Sequence, residues 1–113
     1  MHELWLCKSV FAIIQGKAAK TKATKVKKVV LEIGLLAAVD KEALTFSFDV
    51  VTKGTLADKA ELEIIDIPGE AQCESCHKTF SLQHYYEACD ACGSHRLKII
   101  QGEELKVKSM VVE

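Results

Sequence analysis

The sequence has no long hydrophobic run. Its longest uninterrupted stretch of apolar or glycine residues, Ile33–Val39, is far too short to cross a bilayer. No membrane association is therefore expected. The start, Met1-His2-Glu3, has no basic region before an apolar core, so no export signal is expected either. Neither sign of charge dominates. The net charge is −1, and domains that bind nucleic acid are usually strongly basic, so no nucleic-acid partner is expected. There is no nucleophile–base pair and no phosphate-binding loop, so no catalytic activity is expected. Apart from a duplicated C-x-x-C there is no internal repeat, and there is no low-complexity segment. Proline occurs once, in Pro68-Gly69, where it marks a turn.

The 113 residues that are present suffice for one domain, or for a small domain with a subdomain. Hydrophobic residues make up 49%, enough for a packed core. The halves differ in charge. Residues 1–60 hold ten lysines and six acids, and residues 61–113 hold five basic and ten acidic residues.

Four of the five cysteines lie in one stretch, Cys73-Glu-Ser-Cys76 and, twelve residues on, Cys89-Asp-Ala-Cys92. Two residues between thiolates let both sulfurs of one turn reach one metal. Two such turns facing each other complete a tetrahedron suited to Zn²⁺. Gly93 follows the second pair, where a knuckle turn can use positive φ. Two disulfides or a rubredoxin-like iron centre would use the same residues. Cys73–His77 also matches the c-type haem attachment string, but that reading strands Cys89 and Cys92 and requires export. Thiols at metal spacing without an export signal point to a reducing, cytoplasmic setting.

Residues 4–20 read as an amphipathic helix, with Leu4, Cys7, Val10, Phe11, Ile14 and Ala18 on one face. Gly16 is a mild mark against it. Residues 25–34 read as a strand, with Val29, Leu31 and Ile33 alternating with Lys28, Val30 and Glu32. Residues 40–53 are ambiguous. Leu44, Phe46, Phe48 and Val50 alternate as in a strand, yet Asp40 is a good helix N-cap and Leu44, Phe48 and Val51 fit helical spacing. Residues 61–67 read as a strand. A subdomain boundary falls at Pro68-Gly69, and the cysteine segment runs to about Lys98. A last strand spans Leu105–Val112, with Leu105, Val107 and Val111 on one face. About thirty residues cannot bury enough surface to hold themselves together, so metal must supply much of the zinc module's folding energy. The last strand is expected to return to the first domain, which makes the module an insertion.

The other chemically loaded stretch is Met1-His2-Glu3. A free terminal amine, the residue-2 amide nitrogen and the residue-2 imidazole can chelate one metal through fused five- and six-membered rings. The Glu3 amide nitrogen or carboxylate offers a fourth donor. Four in-plane donors suit Ni²⁺ or Cu²⁺. His2 is also too bulky for efficient removal of Met1. The bland reading of such a terminus is a solvated end.

Met1-His2-Glu3-Leu4, the Cys7-bearing helix, Leu31-Glu32-Ile33-Gly34, Leu44-x-Phe46-x-Phe48, Gly54-Thr55 and the paired C-x-x-C motifs together resemble the HypA/HybF hydrogenase-maturation nickel metallochaperones. The resemblance covers essentially the whole chain and is closer to the HybF branch. It implies an α+β fold: two helices on a three-stranded sheet, with a small zinc-ribbon-like β subdomain inserted before the last strand. The expected organisation is 1–69 and 99–113 for the nickel-binding domain and 70–98 for the zinc-binding subdomain. The resemblance decides residues 40–53 as helix. It implies Ni²⁺ as transferred cargo on Met1, His2 and Glu3, and structural Zn²⁺ on Cys73, Cys76, Cys89 and Cys92. The implied partners are a HypB-type nickel GTPase and the large subunit of nickel–iron hydrogenase, with urease maturation proteins in some relatives, and the implied state is a monomer or weak homodimer. Many relatives have Pro inside the second C-x-x-C, where this chain has Asp90. The rival readings are a zinc-ribbon protein- or nucleic-acid-interaction module with no nickel role, and a redox enzyme using the C-x-x-C pairs.

Other residues have two readings each. Cys7 is read as a small buried hydrophobe rather than a ligand. His77 and His95 are read as solvated knuckle residues or donors to sulfur, against exchange with the cysteines. His84 is read as a surface residue. Trp5 either packs the terminus or ends the helix face. The six lysines of Lys17–Lys28 are read as a solvated helix end and strand edge, against a docking patch for an acidic partner.

Overall fold

The computed structural model describes residues 2–113, except the side chain of His2. The element order is α1 (His2–Lys20), β1 (Val26–Gly34), a 3₁₀ turn (Leu35–Ala37), α2 (Lys41–Thr52), β2 (Glu61–Ile67), β3 (Glu70–Cys73), β4 (Thr79–Ser81), β5 (Leu97–Gln101) and β6 (Leu105–Val112). Two three-stranded sheets form, with strand orders β2-β1-β6 and β4-β3-β5. The chain divides into two compact units. One comprises the chain up to Glu32, Val39–Ile65 and Lys106–Glu113; the other comprises Ile33–Ala38 and Asp66–Leu105.

The first unit holds both helices. Cys7, Val10, Ile14 and Ala18, spaced three and four apart, are all buried, so the face of α1 expected from periodicity faces the core. Gly16 does not interrupt the helix. The ambiguous 40–53 stretch forms a helix over Lys41–Thr52. The Asp40 carboxylate accepts from the Ala43 backbone N–H at 3.1 Å and supplies the N-cap. Leu44, Ser47, Phe48 and Thr52 form the buried face of α2. The Cys7 thiol donates to the Leu44 carbonyl, and the Asp40 N–H donates to the Glu3 carboxylate. Both contacts link residues 37 apart, so α1 and α2 run side by side in the same direction. From the sheet, Val26, Val29, Leu31 and Val107 add to the core.

The strand expected at Leu105–Val112 forms with those bounds, but one of its faces is corrected. Val107 is buried, whereas Val111 is 50% exposed. Past Val107 the inward phase of β6 shifts by one residue, so Met110 is half-buried and Val111 faces outward.

The second unit is a small β module with its own core of Leu36, Ala71, Cys73, Phe80, Leu82 and Cys89, flanked by Leu97 and Ile99. Strand β3 is central. Ala71 stands opposite Phe80 of β4 and Ile99 of β5, and Cys73 stands opposite Leu97. This unit starts at Asp66 and ends at Leu105, wider than the expected 70–98, and it includes Ile33–Ala38. The physical reason is β5, which pairs with β3 rather than leading into the returning strand. A backbone crossing adds to this. The Gly34 N–H donates to the Glu104 carbonyl at 2.7 Å, and the Leu36 N–H donates to the Gly102 carbonyl at 2.9 Å. A Cβ on Gly34 would lie 1.9 Å from the Gly102 oxygen, so only glycine permits the approach.

Candidate metal centre

Cys73 ends β3, and Cys76 closes the turn that follows. The second pair sits in a loop with the same local pattern. In the first turn the His77 N–H donates to the Cys73 carbonyl at 2.8 Å, and the Cys73 N–H donates to the Lys78 carbonyl at 2.9 Å. In the second, Gly93 N–H donates to the Cys89 carbonyl at 2.9 Å and Cys89 N–H to the Ser94 carbonyl at 2.8 Å. His77 and Gly93 occupy equivalent positions with φ of 65° and 75°. The left-handed turn expected at Gly93 is present, and its counterpart places a histidine in a conformation that favours glycine.

The turns bring four sulfurs together. Cys73 Sγ and Cys92 Sγ are 3.6 Å apart, as are Cys76 Sγ and Cys89 Sγ. All four lie within 4.8 Å of one another, the one such cluster of possible ligands among the described residues. A tetrahedron with Zn–S bonds of about 2.3 Å has edges of about 3.8 Å. Disulfides need about 2.05 Å, and all five cysteines are free. The donor set therefore fits a structural zinc.

The electrostatics are uneven. The Cys76 N–H, followed by that of Ser75, holds Cys73 down to about 6 against the opposing effect of burial. The N–H groups of Ala91 and Cys92 likewise lower Cys89. Cys76 and Cys92 move the other way. The Ser94 N–H lowers Cys92, but the adjacent Cys73 sulfur and burial outweigh it and push Cys92 up to about 12. The Lys78 N–H lowers Cys76, and burial with the Cys89 and Cys73 sulfurs outweighs that effect too. Four thiols this close cannot all ionise by themselves. A divalent cation removes the conflict and releases the remaining protons.

Sequence reasoning missed several supports of this centre. The hydroxyls of Ser75 and Ser94 are 3.0 Å apart and link the two turns. Ser94 Oγ also accepts from the Arg96 N–H. Asp90, between the cysteines of the second pair, pairs with Lys78 of the other turn at 3.0 Å. Both groups are about half exposed, so the pair aids alignment more than stability. The Ser75–Ser94 and Lys78–Asp90 pairs carry no spacing signal, because each partner lies on the opposite turn. His77 and His95 are both exposed. His84 is exposed and stacks on Tyr86, with ring centroids 5.1 Å apart.

At the other end of the sequence, Met1 and the His2 side chain lie outside the described residues. Helix α1 begins at His2, so the first amide nitrogens have no carbonyl partner within the helix. The Glu3 carboxylate accepts from the Asp40 N–H at 3.4 Å. The Cys7 thiol is pushed up to about 11, by burial first and by the Glu3 charge second. It is a neutral core group, as its place in the periodicity suggested. Trp5 is 68% exposed, with the Lys8 ammonium 5.0 Å from its ring. No described helix is long and apolar enough to cross a membrane.

Residues 1–112 match the family model described as "Hydrogenase/urease nickel incorporation, metallochaperone, hypA". The chain is 59% identical to a hydrogenase maturation factor HypA of Legionella pneumophila strain Lens, covering 100% of each chain. It is 44% identical to HypA of Azotobacter chroococcum, again over the full length of both. The fold is similar to the solution structure of the nickel metallochaperone HypA from Helicobacter pylori, with a TM-score of 0.73 at 30% identity, covering 97% of this chain and 96% of that one. A second solution structure of a HypA protein gives 0.72 at 31% identity, covering 100% of this chain and 97% of that one. With the four-cysteine cluster and the two-helix fold in place, the chain belongs to the HypA family of nickel metallochaperones, which act in hydrogenase maturation.

Proposed function

We propose that this chain carries Ni²⁺ at its N-terminus and delivers it, together with a HypB-type GTPase, to the large subunit of nickel–iron hydrogenase in the cytoplasm. The full-length match to a nickel-incorporation family carries this reading. The donors are the Met1 amine, the His2 amide nitrogen and imidazole, and Glu3. The start of α1 at His2 supports it, because amide nitrogens of a first helical turn are free of helical hydrogen bonds. The Glu3 carboxylate is engaged by the Asp40 N–H, which favours the Glu3 amide nitrogen as fourth donor. Ni²⁺ accepts four in-plane nitrogens. Cargo at a chain end can pass to an acceptor ligand by ligand, whereas a buried cage would hold it. Binding through an amide nitrogen releases a proton and strengthens as pH rises.

Cys73, Cys76, Cys89 and Cys92 hold a structural zinc in this reading. A closed four-thiolate site has no open position for cargo. Its role is to complete the small β unit. Nickel titration of untagged protein tests the terminal site, against His2→Ala and against a chain extended by one residue before Met1. Both variants should lose the tight site while retaining one zinc per chain. Binding by both variants equal to the parent refutes the assignment.

A further inference from the structure

After Glu3 no acidic residue occurs before Glu32, and seven lysines lie between them. Lys27 pairs with Glu113, and Lys28 with Glu61 and Glu63. Among the described residues Lys17, Lys20, Lys22 and Lys25 have no acidic partner. Complementing the negative end of the α1 dipole accounts for Lys17 and Lys20 in its last turn. It does not account for Lys22 and Lys25, which lie beyond the helix.

Beside Lys17 and Lys20 runs an open groove of about 340 Å³, lined by these two with Thr21, Ser109, Met110 and Val112. Its floor is apolar, with a half-buried Met110 and a Val112 that is 36% exposed. Strand β6 is at an edge of its sheet, so one side of it has no neighbouring strand. A solvated lysine cluster explains the charge alone. It does not explain an apolar floor between cations.

We propose that this groove docks an acidic segment of a partner protein that carries one aliphatic or aromatic anchor. The anchor covers Met110 and Val112, and its flanking carboxylates meet the Lys17 and Lys20 ammonium groups. Charge complementarity selects the acidic partner, and the apolar floor selects a peptide. A phosphate backbone or a lipid headgroup layer would use the lysines and leave the floor uncovered. At about 1.5 Å per residue, the groove end of α1 lies about 27 Å from His2. A partner held here leaves the other end of the helix accessible. The inference does not depend on nickel binding.

The test is fluorescence anisotropy with a short labelled peptide in which Glu and Asp flank a single Leu. Parallel probes are the same peptide with Ser for Leu, a short DNA duplex, and phosphatidylserine vesicles. The Leu peptide should bind in preference to all three. The double variant Lys17→Glu/Lys20→Glu should weaken it at least about tenfold, on the scale of about 1.4 kcal/mol, and Lys53→Glu on α2 should not. Amide shift mapping on the unaltered protein makes the result independent of variant folding, with changes expected at residues 17–22 and 109–112. Indifference to the Leu, preference for duplex or vesicles, or shift changes elsewhere overturns the proposal.

Discussion

Replacing Gly34 by Ala should destabilise the protein by about 3–5 kcal/mol. The added Cβ would sit 1.9 Å from the Gly102 oxygen and 2.0 Å from its carbonyl carbon. Ordinary carbon–oxygen contact needs well over 3 Å, about the sum of the van der Waals radii, so the Gly102 backbone must retreat by more than an ångström. Backbone has no rotamer with which to escape. The retreat breaks the Gly34–Glu104 and Leu36–Gly102 hydrogen bonds, each worth about 1 kcal/mol net. Forced repacking around Leu36 adds about 1–3 kcal/mol. With a urea slope of about 1–3 kcal/mol per molar, the midpoint should fall by about 2 M. Gly16→Ala is the control. Its Cβ would meet nothing within 4 Å on an exposed turn of α1, so removing the helix-interior glycine should stabilise by about 0.5–1 kcal/mol. Urea unfolding followed by circular dichroism, at fixed zinc concentration, reads both. Opposite signs are expected, and a Gly34→Ala midpoint at or above that of the parent refutes the reasoning.

The Cys7 thiol, raised from 9.0 to about 11, should tie stability to alkaline pH. A raised pKa means that the folded state keeps its proton longer, so this stabilisation is complete below 9 and fades as pH rises through 11. The stability measured by unfolding across that window should fall more steeply for the parent than for Cys7→Ala. His77→Gly should stabilise by about 1 kcal/mol, because φ of 65° suits glycine, with zinc content by metal analysis unchanged. Stripping zinc with a strong chelator should collapse the NMR shift dispersion of residues 66–105 while the helical far-UV signal persists, because the small unit has Cys73 and Cys89 in its core and the helices lie in the other unit.

Most of the architecture could be read from periodicity, and the exceptions have physical causes. Helix α1 and most of strand β1 bury one face in a regular rhythm, β2 half-buries one, and β6 keeps its rhythm only as far as Val107. Helix α2 also shows a strand rhythm because Phe46 and Val50 are apolar yet 70% and 53% exposed. Without those two, Leu44, Ser47, Phe48 and Thr52 leave only the helical spacing. Strands β3, β4 and β5 are three to five residues long and interleaved with turns, too short for any period to emerge. The cysteine cluster was legible because metal chemistry fixes both residue type and spacing. Its cross-turn supports, Ser75 with Ser94 and Lys78 with Asp90, were not. They depend on how two turns face each other, which no local pattern records.

The two cysteine turns share one hydrogen-bond pattern, repeated at an offset of sixteen residues from Cys73 to Cys89. They differ in what occupies the left-handed position. The second turn rests there on Gly93, while the first holds His77 against its preference. Opening the first turn relieves about 1 kcal/mol that the second has no means to recover. A competing chelator thus meets two turns of unequal backbone strain, and the first is expected to open more readily than the second.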